Sequence, residues 1–259
     1  MPPKISLVRH AEGYHNLYRD YTLPDPLLTP VGKQQCAALS SKFPHHDTVD
    51  LVVASPLRRT VQTAAYSFGP TLARPEVPFI LHPALQEVAA SGSDTGTDAG
   101  LLTKAIEDMF QGENLGFDWT KVDQSQVTDG WNSKKGYWAY TRKALSARSA
   151  DVRNWLFQRP ELHIIIVTHG AIAHFITEDW DVEDPMTMTA YQNCEVRDFV
   201  FSKSSQEDDA HLTETAESKS KRPAREIDLG AAEGETDPHI IAELDGAIHP
   251  EREAVEVGA

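Results

Sequence analysis

The sequence predicts a three-layer α/β/α fold built on a mainly parallel central sheet. Three observations predict it. Short runs of β-branched and leucine residues recur with little polar alternation, the pattern of strands covered on both faces. Helix-length segments separate those runs. Each run also stops abruptly in polar or charged residues, at the carboxyl edge where open α/β sheets bind ligands.

The first run, Lys4 to Arg9, carries Ile5, Leu7 and Val8 and ends in the pair Arg9-His10. A guanidinium is almost never buried without a partner, so a strand ending in Arg-His points to a ligand. Leu23-Pro24-Asp25-Pro26 stops regular structure. Thr29 then reads as the N-cap of a helix with Pro30 in its first turn, running through Cys36 and Leu39 and ending before Pro44. Asp50 to Ser55 is a second buried strand, followed by Ser-Pro-Leu-Arg-Arg-Thr and a helix over Thr60 to Tyr66. Val77 to His82 is a third strand, with Pro78 and Pro83 at permitted ends.

From Gln86 to Asp129 the pattern weakens. Ser91 to Asp98 is loop-like, Leu101 to Phe110 has helical spacing, and Gly112 to Asp129 has no clear period, as in a lid or binding loop. A helix over Tyr137 to Phe157 presents Tyr140, Leu145, Val152 and Leu156 on one face. His163-Ile164-Ile165-Ile166-Val167-Thr168 is the most strand-like run, ends in His169-Gly170, and leads into a helix over Ala171 to Ile176. A last strand is expected over Cys194 to Phe201.

The 259 residues carry a formal charge of -15, and the pI is about 5.1. That balance argues against nucleic acid or an anionic membrane surface as a partner. The charge is uneven: 15 of the 39 acidic and 6 of the 24 basic residues lie beyond Phe201, leaving a net -6 over the first 201. Residues 202–259 are therefore expected to form an acidic, disordered tail, too poor in apolar surface to offset ordering entropy. Within it, Lys219 to Arg225 has the composition of a weak nuclear import patch, and Ile240 to Leu244 could form a short partner-binding helix. The start Met-Pro-Pro-Lys-Ile has no apolar region typical of a secretory signal, and no long apolar run suggests a membrane span. A cytoplasmic protein, with some claim to the nucleus, is expected. Cys36 and Cys194 are the only cysteines, and their spacing suits neither zinc nor redox work.

Three strand ends thus converge on one rim: Arg9-His10, Ser55 leading to Arg58-Arg59, and Thr168-His169. Two histidines and at least two arginines there describe a site for a dianion, because guanidinium groups bind phosphate oxygens through paired hydrogen bonds. No acidic residue adjoins these histidines in sequence and arginines repel cations, so neither a metal nor another cofactor is expected.

Leu7-Val8-Arg9-His10-Ala11-Glu12, Ser55-Pro56-Leu57-Arg58-Arg59-Thr60-Val61-Gln62-Thr63-Ala64 and Thr168-His169-Gly170 resemble the three signatures of the histidine phosphatase superfamily, the phosphoglycerate mutase-like fold. The resemblance spans roughly residues 4 to 201 and makes residues 1–201 the catalytic domain. It implies that His10 is the nucleophile that takes the phosphoryl group, and that Arg9, Arg59 and His169 hold its oxygens. It implies that Asn16 contacts the phosphate and that Glu87 is the general acid, with Asp94 and Asp98 in reserve. His15, between Gly13 and Asn16, is a candidate for substrate contact. The register selects Arg59 and leaves Arg58 structural. Ala11 stands where the family usually has glycine, and Thr60 where it usually has alanine. The segment Arg9 to Asn16 with Asp25 to Pro30 is most similar to fungal phosphatases of this type.

The implied activity is metal-independent hydrolysis of a small phosphorylated metabolite. A mutase would need a longer insertion than the 23 residues from Ala64 to Gln86. A non-catalytic phosphate-binding protein would not need the full set of reacting groups. The sequence fixes neither the substrate nor the oligomeric state.

Overall fold

The computed structural model describes residues 1–179 and 189–222. Seven strands form one sheet in the order β4-β3-β2-β5-β1-β6-β7: β1 (Lys4–Arg9), β2 (Leu51–Ala54), β3 (Phe79–Leu81), β4 (Val122–Asp123), β5 (His163–Thr168), β6 (Val196–Phe201) and β7 (Leu212–Glu214). The first five are mutually parallel, while β6 runs antiparallel to β1 and β7 antiparallel to β6. The fold is the predicted three-layer α/β/α arrangement.

The uninterrupted apolar strands are explained by burial on both faces. Along β5, Ile164 and Ile166 point into one core with Ile5, Leu7, Leu51 and Val53, beneath α6 (Arg142–Phe157) and α7 (Gly170–Thr177). Ile165 and Val167 point into the other, with Val8, Val52 and Ala54, beneath α3 (Arg58–Ser67), α4 (Gly69–Leu72) and α5 (Ala99–Phe110). Alternation along a strand here separates two apolar cores, not core from solvent.

Register sets the rim. Arg9 pairs with Thr168, Ala54 with Val167, His10 N–H donates to Thr168 O at 2.9 Å, and Ser55 N–H to Val167 O at 3.0 Å. The three central strands therefore end level. Helix α2 (Pro30–Lys42) starts as predicted, the Thr29 hydroxyl accepting from Gly32 N–H. It packs so closely on the turn after His10 that a Cβ at Gly32 would lie 2.2 Å from Glu12 O, which only glycine permits.

Several elements depart from the sequence reading. A short helix α1 (Tyr14–Tyr18) follows the first strand. The helix expected from Tyr137 begins at Arg142, because the Thr141 hydroxyl caps it by accepting from Ala144 N–H. Gly136–Trp138 is a separate 3₁₀ turn. Tyr137 and Tyr140 accordingly stay exposed, off the buried face.

Strand β4 lies in the stretch that showed no period. The expected boundary at Phe201 is also wrong: β7 and a short helix, Ala216–Lys221, continue the fold to Arg222. Leu212 joins the core, Glu214 is buried beside Ser218 and Arg222, and Ser218 Oγ accepts from Asp198 N–H at 3.0 Å. In the basic cluster, Lys221 pairs with Glu217 and Arg222 with Glu214. The proposed Ile240–Leu244 helix lies outside the described residues. Among the described residues no helix is long and apolar enough to cross a membrane.

Candidate active site

One wall of the site is made by strand ends. His10 is 2% exposed, and its Nδ1 lies 2.7 Å from Ala11 O. A carbonyl can only accept, so Nδ1 carries the hydrogen and Nε2 of the neutral ring keeps its lone pair. Burial first, then the charges of Arg59, His15 and Arg9, hold the His10 pKa well below 6.5. The ring is neutral at pH 7. Its carbonyl accepts from Asn193 Nδ2 at 2.7 Å, which fixes the strand end from the other side.

His169 is the residue before α7. It is fully buried, lies edge-on to His10 at 5.2 Å between centroids, and meets Ser55 Oγ at 2.9 Å through Nε2. Its buried Nδ1 has no partner among the described residues. Burial, then Arg59, His10 and Lys134, depress its pKa too. His15 completes a cluster of three rings, 5.6 Å from His10. Asn16 Oδ1 accepts from Gly13 N–H at 3.1 Å, closing the start of α1.

Adjacent arginines part ways at the start of α3. Arg58 faces outward, donating from Nε to Asp25 O at 2.7 Å. Arg59 turns inward at 1% exposure, donating to Ser93 O at 2.5 Å and to Asp94 Oδ1 at 2.6 Å. Arg9, also buried, donates to Tyr191 O.

The two departures from the family pattern leave the pocket intact. Ala11 packs with Leu28 and Cys36, and its N–H donates to Thr63 Oγ1 at 3.0 Å. Thr60 Oγ1 closes the turn before α3 on Ser55 O and Leu57 O.

The opposite wall is made by loops. Glu87 is buried, and its carboxylate accepts from Ile172 N–H at 2.9 Å, Val88 N–H at 3.0 Å and Ala171 N–H at 3.2 Å. These donors at the start of α7 favour the anion. Burial and the like charge of Asp94 outweigh them and push the Glu87 pKa up. Asp94 is the counter-ion of Arg59, and Asp98 lies exposed on Asn132. Neither reserve candidate is as well suited to deliver a proton as Glu87.

Three consecutive carbonyls hold Glu87 in place. Leu85 O accepts from Thr168 Oγ1 at 2.8 Å, Gln86 O from Arg148 Nη2 at 3.0 Å, and Glu87 O from Lys134 Nζ at 2.7 Å. Sequence reasoning missed Lys134 and Arg148, along with the buried Asp25, whose carboxylate takes Arg58 N–H and the Thr97 hydroxyl. Each acts through a carbonyl or an amide, which leaves no residue-type signature. Trp131 is wholly core, and its Nε1 donates to Thr97 O at 3.1 Å. Among the described residues no cluster of three or more metal-ligating side chains occurs.

A family model described as the histidine phosphatase superfamily (branch 1) matches residues 5–208. The phosphoglycerate mutase-like protein 1 of Arabidopsis thaliana is 29% identical over 229 residues, covering 76% of this chain and 80% of that protein. A Schizosaccharomyces pombe protein described as a probable phosphatase is 26% identical over 176 residues, covering 64% and 73%. Among solved structures, an Entamoeba histolytica phosphoserine phosphatase in complex with phosphoserine aligns at TM-score 0.50 and 21% identity, over 83% of this chain and 95% of that one. A mycobacterial glucosyl-3-phosphoglycerate phosphatase aligns at 0.51 and 16%, over 82% and 97%. At these identities the two structures speak for the fold.

Proposed function

The chain belongs to the histidine phosphatase superfamily (branch 1), and from that premise we propose that it hydrolyses small phosphorylated metabolites through a phosphohistidine on His10. One observation carries the reading: a neutral, buried imidazole has Nδ1 fixed on Ala11 O and Nε2 unprotonated, beside two buried guanidinium groups and a second histidine.

In this mechanism the Nε2 lone pair attacks phosphorus. The P–N bond forms as the ester P–O bond breaks, and Glu87 delivers its proton to the leaving oxygen, because an alkoxide leaves poorly. Arg9, Arg59 and His169 gather the equatorial oxygens, where charge is greatest in the transition state. Glu87, now a carboxylate, then takes a proton from water as the water oxygen attacks phosphorus. The P–N bond breaks, and inorganic phosphate leaves. A raised Glu87 pKa suits both halves, since the group must hold a proton near neutral pH and take one back. No step calls for a metal.

The test is phosphate release from a panel of phosphorylated metabolites, in EDTA, with His10→Ala as control. Turnover that persists in EDTA, disappears in the folded mutant, and leaves an acid-labile phosphoryl group on His10 after rapid quenching supports the reading. Full activity in a folded His10→Ala protein overturns it. Movement of the phosphoryl group between hydroxyls of one substrate, without phosphate release, would make the protein a mutase.

A further inference from the structure

Neither cysteine takes part in the proposed reaction, yet the fold brings the two together. Cys36 lies on α2, fully buried, and Cys194 lies half-buried in the turn before β6. Although 158 positions separate them in sequence, Cys194 packs against the small cluster of Ala11, Leu28 and Cys36. Both are free thiols, and that packing brings them to the same small cluster. They are the only cysteines in the chain, so each has one intramolecular partner.

The position is as informative as the pairing. Ala11, the neighbour of Cys36 in that cluster, directly follows His10. Cys194 N–H donates to Arg9 O at 3.0 Å, and the adjacent Asn193 Nδ2 donates to His10 O at 2.7 Å. The pair therefore sits directly behind the strand end that carries the proposed nucleophile. Cys194 itself has a positive φ of 59°, a conformation rare outside glycine, asparagine and aspartate.

We infer that Cys36 and Cys194 are a redox modification site, forming a reversible disulfide that ties α2 to the turn before β6 behind Arg9 and His10. The contact already divides the roles. Proximity to Cys194 lowers the Cys36 pKa, while the same proximity and burial raise that of Cys194. Cys36 is thus the more acidic partner, which attacks first, and Cys194 the resolving thiol.

Hydrogen peroxide, close to water in size, is the oxidant class that suits so covered a pair. The Cys36 thiolate attacks peroxide: an S–O bond forms, the O–O bond breaks, and hydroxide leaves to become water with the proton Cys36 gave up. Cys194 sulfur then attacks the sulfenic acid: the S–S bond forms, the S–O bond breaks, and the Cys194 proton leaves with the hydroxide as a second water. Two thiols lose two electrons and one peroxide gains them.

The test uses the full chain and no activity assay, so it stands apart from the phosphatase reading. Native protein is titrated with hydrogen peroxide, denatured in a thiol-alkylating reagent, and weighed intact. The expected product has lost two hydrogens, takes up no alkylating group, yields a single Cys36–Cys194 cross-linked peptide, and is restored by dithiothreitol. Because the bond closes a very long loop, its melting temperature rises by about 5 °C or more over the reduced protein. In Cys194→Ser the resolving thiol is gone, and Cys36 accumulates as a sulfenic acid that a dione probe captures. Stepwise oxygen addition to one cysteine of the wild type without cross-linking overturns the proposal. So does full alkylation of both cysteines at a peroxide dose that oxidises free cysteine.

Discussion

The two walls of the pocket are held by different physics. On the wall proposed to face phosphate, Arg9, His10, Ser55 and His169 lie at or one residue past the ends of β1, β2 and β5, and sheet register aligns them. On the acid-bearing wall, Glu87, Asp94 and Lys134 sit on loops, placed by bonds to carbonyls and amides far away in sequence. The first wall comes with the sheet. The second depends on a handful of individual contacts, so the walls should fail differently when altered.

The largest expected effect belongs to the acid. Glu87→Gln keeps the shape and removes the transferable proton. Hydrolysis of an alkyl phosphate should fall about 10²- to 10⁴-fold, while p-nitrophenyl phosphate, whose leaving group needs no proton, should lose less than about tenfold. Single-turnover rates on the two substrates check this. Equal losses on both would mean that Glu87 serves the phosphate-facing wall instead.

Next comes the ion pair that joins the walls. Arg59 and Asp94 are 1% and 2% exposed and 2.6 Å apart, so solvent screens them little. Asp94→Asn leaves an uncompensated buried guanidinium and should cost roughly 3–5 kcal/mol in chemical denaturation. It also removes the like charge that helps raise the Glu87 pKa. The general acid then loses its proton at lower pH, so the alkaline limb of kcat should move down. A limb that stays in place would separate the two acids electrostatically.

How much of each wall was legible follows from the same contrast. Arg9-His10, Arg58-Arg59 and Thr168-His169 stood out because apolar runs announce strands and charged residues at their ends have few other uses. Thr29 as N-cap was legible for a similar reason: hydroxyl and proline at a helix start do a local job. Lys134 was not legible, because its acceptor is a main-chain carbonyl 47 residues away, and any residue offers a carbonyl. Strands β4 and β7 have two and three residues, too few to show a period. Leu212 and Glu214 also share the buried face of β7, so an inward carboxylate matched by Ser218 and Arg222 reads in sequence as a polar tail. The Cys36–Cys194 contact was hidden for the plainest reason, since spacing along the chain says nothing about two elements that meet only in three dimensions.

The phosphate-facing wall also has its own pH signature. Burial depresses His10 and His169 well below 6.5, and away from the site it lowers His82 and His163 to about 4. At these four histidines the unfolded chain therefore binds more protons than the folded one below pH 6.5. Stability from these groups is fully present above that value and lost as pH falls toward 4. The melting temperature should be flat from pH 8 to 7 and drop steadily from 6.5 to about 4. A profile that falls only below pH 4 would assign acid unfolding to carboxylates and leave the histidine burial without consequence.

The smallest effect sharpens the boundary between scaffold and site. Arg58 and Arg59 are neighbours of identical chemistry, and only geometry separates them: Arg58 is half-buried and bound to the carbonyls of Asp25 and Pro24, whereas Arg59 is buried among the pocket groups. Arg58→Ala should lower stability by about 1 kcal/mol, the usual worth of such hydrogen bonds, and change kcat/KM less than about twofold. Arg59→Ala removes charge from the place where transition-state charge is greatest and should cost on the order of 10²-fold or more. Measuring both variants with one substrate isolates position from charge, since each loses a single guanidinium. If Arg58→Ala cost as much as Arg59→Ala, the phosphate would be approached from the Asp25 loop, and the wall assigned here to the strand ends would have to be redrawn around it.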